Sequence, residues 1–103
     1  MDLNEINDEV KSAHMRYVTV LGDRLTAEAN RKKTLELDKN SIASNKDEKG
    51  KSPSEAACDR VAKGTPEYIA AVEKEITAIT RQETALMELQ YARRKFEIGK
   101  LSV

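Results

Sequence analysis

The sequence predicts an all-α chain: two long helices in an antiparallel, coiled-coil-like hairpin, with a short helix in the connecting segment. Three observations predict it. Helix breakers are scarce, with two prolines and four glycines in 103 residues. Apolar side chains recur at steps of three and four on both sides of a polar central stretch. Aromatic residues make up 4% and charged residues 35%, a composition suited to long helices rather than to a sheet. At this length the chain is read as a single domain, 1–103.

The first helix is expected over 3–38. Leu3, Ile6, Val10, Ala13, Tyr17, Leu21 and Leu25 fall on one stripe, and Asp8, Glu9, Lys11, Ser12 and Arg16 lie opposite. Gly22 costs about 1 kcal/mol against alanine in a helix, so it is expected to mark close packing or a slight bend. Residues 40–51 are polar and aperiodic, which predicts a mobile connection. Ser52-Pro53-Ser54-Glu55 then reads as a capping box with proline at the first helical position. It opens a short helix over 53–63 with Ala57 and Val61 on one side, and Gly64 is expected to end that helix in the left-handed conformation.

Thr65-Pro66-Glu67 repeats the start signal: a capping hydroxyl, a proline that needs no donor, and an acid in the positive first turn. The second long helix is expected over 66–98, with Ile69, Val72, Ile76, Ile79, Leu86 and Leu89 as its apolar stripe. Ala71, Ala78, Ala85 and Ala92 recur every seven residues. Small side chains admit a neighbouring helix closely. This row, with Leu86 and Leu89, is therefore the expected interface with a second copy or a partner. Charge supports an antiparallel hairpin: residues 1–10 hold Asp2, Glu5, Asp8 and Glu9 without a base, and 91–103 hold Arg93, Arg94, Lys95 and Lys100 against Glu97.

Catalytic parts are few, and the expectation is that the chain is not an enzyme. His14 is the only histidine and Cys58 the only cysteine, so neither a histidine pair nor a cysteine-based zinc site can form, and no disulfide can close within the chain. Both are read as ordinary packing or surface residues. No glycine-rich phosphate loop occurs. No cofactor, metal or small-molecule substrate is expected. No apolar run approaches the roughly 20 residues that span a bilayer, and the start lacks a signal-like segment, so a cytoplasmic, membrane-free setting is expected.

Eighteen basic residues balance eighteen acidic ones, which argues against unspecific polyanion binding. Two local basic clusters remain: Arg31-Lys32-Lys33, and Arg93-Arg94-Lys95 between Tyr91 and Phe96. Cations with nearby aromatics suit single-stranded nucleic acid, which needs phosphate neutralisation and a stacking surface. Helical pairs such as Arg93–Glu97 and Glu28–Lys32 compete for the same charges.

The order of parts resembles a family. Ser54-Glu55, a short helix, and a long helix ending Ala-Leu-Met-Glu-Leu-Gln-Tyr-Ala-Arg-Arg-Lys-Phe-Glu-Ile-Gly-Lys (85–100) are similar to the C-terminal half of UvsY-type phage recombination mediators. Glu28-Ala29-Asn30-Arg31-Lys32-Lys33 is similar to the basic end of their first helix. The resemblance implies an all-helical, ring-forming oligomer that binds single-stranded DNA and helps load a recombinase where a single-strand-binding protein sits. Two functions are therefore expected to compete. One is an oligomeric, phage-encoded accessory protein of DNA recombination or repair, with Arg31, Lys32, Lys33, Arg93, Arg94 and Lys95 on phosphates. The other is a helical-hairpin protein–protein module, a scaffold, chaperone or inhibitor of a host protein, that binds no nucleic acid.

Overall fold

The structure is a computed structural model that describes residues 2–47 and 49–101. Met1, Glu48, Ser102 and Val103, which the expected chain ends and linker include, lie outside the described residues. Three helices follow one another: α1 (Leu3–Ala43), α2 (Glu55–Lys63) and α3 (Pro66–Leu101). The two long helices pack against each other with the short one between them in sequence, as the all-α hairpin reading requires.

The element ends differ from expectation in instructive ways. α1 continues five residues past 38, to Ala43. No proline or glycine stands in the way before Gly50, and Lys39 gains tertiary partners, with Nζ 3.8 Å from Glu55 and 4.0 Å from Asp59. The helix ends where the Ser44 hydroxyl turns back to the Ser41 carbonyl at 2.6 Å. The rest of the connection contains a tight turn: the Asp47 carboxylate accepts the Lys49 and Lys51 amides at 2.9 and 2.8 Å, and Gly50 adopts φ +76°.

α2 starts at Glu55, not at Pro53. Ser54, not Ser52, is its cap and accepts the Ala57 amide at 3.2 Å, so proline stands just before the cap. The buried face of α2 is Cys58 and Ala62; of the expected face, Ala57 is half-buried and Val61 exposed. Gly64 ends the helix with φ −93°, an ordinary right-handed value, because α3 begins at once and the turn needs no left-handed residue. Thr65 caps α3 as its sequence requires: its hydroxyl accepts the Tyr68 amide at 3.2 Å and lies 2.7 Å from Asp38 Oδ2 and 2.9 Å from the Ala62 carbonyl.

The chain divides into two compact units, one formed by the chain up to Leu25 and from Thr77 onward, the other by Thr26–Ile76. In the first, Ala13, Leu89 and Ala92 are the buried centre, with Val10 and Tyr17 packed against them. Ile6, Ala78 and Ala85 are also buried. Ion pairs cross the hairpin outside this seam, Glu9 to Lys95 at 3.2 Å and Arg16 to Glu88 at 3.5 Å. The first joins the acidic start to the basic end, as the charge pattern anticipated. The close approach belongs to Gly99, where a Cβ would meet Ile6 Cδ1 at 3.2 Å and Leu3 Cδ1 at 3.4 Å. Gly22 is exposed, with nothing within 4 Å of its Cβ position, so the packing role expected there is corrected.

In the second unit, Cys58, Ala62 and Ala71 are buried, and the α1–α3 seam turns polar. Arg31 Nε donates to Glu75 Oε2, both side chains being largely covered. This glutamate raises Arg31 above its ordinary range; burial opposes the rise and a hydrogen bond with Tyr68 adds to it. Asp38 accepts from Thr65, and Lys39 reaches Glu55 and Asp59.

Candidate interaction surface

The alanine row decides which surfaces are free. Ala71, Ala78, Ala85 and Ala92 are all buried within this chain, as is Leu89, and Leu86 is half-buried. The row expected to receive a partner is thus the seam of the hairpin itself. The physical reason is close approach: alanine at every seventh position, continued by Gly99, lets α1 lie near the α3 backbone. The larger Ile69 and Ile76, expected inside, are 47% and 57% exposed. Leu25 also leaves the seam, at 54%. A repeat of seven residues, rather than the helix's own 3.6, carries the seam from Tyr17 through Val20 to Arg24, away from Leu25.

The six basic candidates separate. Arg31 is paired with Glu75, and its side chain is largely covered. Lys32 pairs with Glu28 at 3.3 Å, and Lys95 with Glu9. Lys33, Arg93 and Arg94 are exposed and make no ion pair among the described residues. The Arg93–Glu97 pair does not form; Glu97 instead meets Lys100 at 3.8 Å, whose ammonium lies 5.2 Å from the Phe96 ring centre. Arg93 lines an open groove with Val10, Lys11, His14 and Met15. His14 is exposed, whereas Cys58 is buried with its thiol 3.8 Å from the Pro53 carbonyl. No group of three or more His, Cys, Asp or Glu is placed to hold a metal ion among the described residues. None of the described helices is long and apolar enough to cross a membrane.

Among its exposed charged residues the first unit also displays two apolar rows. On α1, Met15, Val18 and Leu25 are 69%, 52% and 54% exposed, and with Gly22 they follow steps of three and four along one outer row. On α3, exposed Met87, Tyr91 and Ile98 form a second outer row that contains Arg94. An open groove of about 460 Å³ runs beside the α1 row, lined by Met15, Thr19, Thr80 and Thr84 among others. Sequence reading missed the α1 row because Leu25 had been placed in the seam. The available signal was the spacing Met15, Val18, Gly22, Leu25, a second complete set of core-type positions on one helix.

Fold and surface together define a helical hairpin whose small residues are spent internally and whose large apolar residues partly face outward. No family model matches the sequence, and no curated protein or solved structure matches it either.

Proposed function

We propose that this chain is a helical-hairpin interaction module that docks another helical surface onto its outer apolar rows. The observation that carries the reading is the row Met15, Val18, Gly22 and Leu25: three large apolar side chains at core-type spacing, without a charge, in solvent. Such spacing is what a partner helix engages, and its exposure has no role in holding the hairpin. A photo-reactive amino acid at position 18 in cells tests it. A cross-linked product of one defined mass is expected from position 18 and none from position 30. Equal, diffuse labelling at both positions defeats the reading.

A second reading is favoured by the exposed Tyr91 one turn before Arg94, and by Lys11, His14 and Arg93 around one groove. It is contact with single-stranded DNA, as the resemblance to recombination mediators implies. Cationic side chains would meet phosphates and the tyrosine a base. Anisotropy titration of a labelled oligonucleotide over a salt series tests it: binding that weakens steeply with salt supports it, and no binding at low salt removes it.

A further inference from the structure

We infer that the groove lined by Val10, Lys11, His14, Met15 and Arg93 binds an amphipathic carboxylate, an anionic head on an aliphatic chain. The groove lies within the first unit and draws on both of its helices. Its charge is the first observation. Elsewhere in this unit, charged side chains that reach across the hairpin meet the opposite sign, Glu9 with Lys95 and Arg16 with Glu88. Here α1 offers Lys11 and His14, α3 offers Arg93, and no carboxylate lines the space between them. The acids nearest in sequence do not answer these groups. Glu9 is engaged by Lys95 and Glu97 by Lys100, and Asp8, one turn before Lys11, makes no ion pair with it among the described residues. Lys11 and Arg93 are exposed and make no ion pair among the described residues either. In a chain of zero formal charge, two fixed cations and an imidazole around one groove are a local excess that an anion would balance.

The lining decides the kind of anion. Val10 and Met15 set an apolar wall beside the cations, which a bare inorganic ion would not use and an aliphatic chain would. The space is about 470 Å³, and small-molecule sites span about 300–1,000 Å³. For the head, the planar guanidinium of Arg93 offers parallel N–H donors that match the two oxygens of a carboxylate. Lys11 adds a point charge, and the His14 ring donates an N–H in either charge state. A nucleic-acid strand fits this groove less well. It needs a ring to stack on as well as cations for its phosphates, and neither Tyr91 nor Phe96 lines the groove. The carboxylate site is also separate from helix docking at the α1 row, so its failure would leave the cross-link expected at position 18 untouched.

Titration of the isotope-labelled full chain with sodium octanoate, followed by amide NMR shifts, tests the assignment. Saturable shifts are expected at Val10–Met15 and around Arg93, with half-saturation on the order of 1 mM for a ligand of this size. Octanol keeps the chain and loses the charge, and acetate keeps the charge and loses the chain. Each is expected to bind at least about tenfold more weakly. Arg93→Gln is expected to weaken octanoate binding about tenfold. Arg94→Gln, which removes the same charge one residue away and outside the groove, is expected to leave binding unchanged, with the same helical circular dichroism in both variants. No saturable shift, equal binding of octanol, or equal weakening by the two arginine variants would each overturn it. Shifts at the groove with an oligothymidylate but none with octanoate would overturn it in favour of the DNA reading.

Discussion

At the scale of single residues, glycines with opposite demands make the sharpest comparison. Gly22 sits in a regular helix with open space around its Cβ position, so Gly22→Ala is expected to stabilise the hairpin by about 1 kcal/mol. Gly50 holds φ +76° in the turn closed by Asp47, so Gly50→Ala is expected to cost about 1 kcal/mol. Urea denaturation at low chain concentration, where association does not intervene, measures both. Arg31 gives a third case. Glu75→Ala leaves a largely covered guanidinium without its carboxylate, and a loss of about 1–3 kcal/mol is expected. Restoration by Arg31→Leu in the Glu75→Leu background would identify the loss as that of an orphaned charge, since an apolar pair leaves none. All three residues are plain in the sequence, but their environments are not. Nothing local separates Gly22 from Gly99, yet one faces solvent and the other faces Ile6 and Leu3.

At the scale of elements, the helix starts are local and the helix faces are not. Thr65 caps α3 through its own hydroxyl, a contact three residues long, and Thr65→Ala is expected to cost about 1 kcal/mol from the lost cap. Loss of the Asp38 contact adds to it. The seam demands smallness instead. Ala92 is buried against the Ala13 and Leu89 cluster, so Ala92→Leu is expected to destabilise by about 1–3 kcal/mol through overpacking. Replacing exposed Ile76 by a polar residue such as glutamine is expected to change stability by less than about 0.5 kcal/mol. Thermal unfolding of these two variants separates the alanine seam from the isoleucine stripe: if Ile76→Gln is the more damaging, the seam has been misassigned. Hydrophobicity ranks isoleucine above alanine for burial, and for that reason the sequence places Ile69 and Ile76 inside, although of their stripe only Leu89 is buried and Val72, Ile79 and Leu86 are half-buried. Helix approach reverses the ranking, because a short distance between backbones leaves no room for the larger side chain.

At the scale of the whole molecule, the two units are held by different forces. The first has an apolar seam around Ala13, Leu89 and Ala92; the second joins buried Cys58, Ala62 and Ala71 to the polar contacts Arg31–Glu75, Asp38–Thr65 and those of Lys39. Native-state hydrogen exchange is therefore expected to show stronger protection around residues 10–17 and 85–92 than around 31–39 and 68–75. High salt is expected to lower protection in the second region more than in the first, because ionic pairing is screened and apolar burial is not. Equal protection and equal salt response in both regions would contradict this division.

The sequence by itself determined the helices: breakers at few places, the capping hydroxyl of Thr65, and periodic apolar residues fix what each segment becomes, since these are interactions between near neighbours, while the cap of α2 proved to be Ser54 rather than Ser52. It also determined the antiparallel sense, through opposite charges at the two ends that meet as Glu9 and Lys95. Only the tertiary structure decided which face of each helix lies inside, which of the basic residues are already paired, and which apolar row is left over. Those outcomes depend on the distance and rotation between helices that are far apart in the chain. A seven-residue alanine repeat can set that rotation against the stronger hydrophobic stripe beside it.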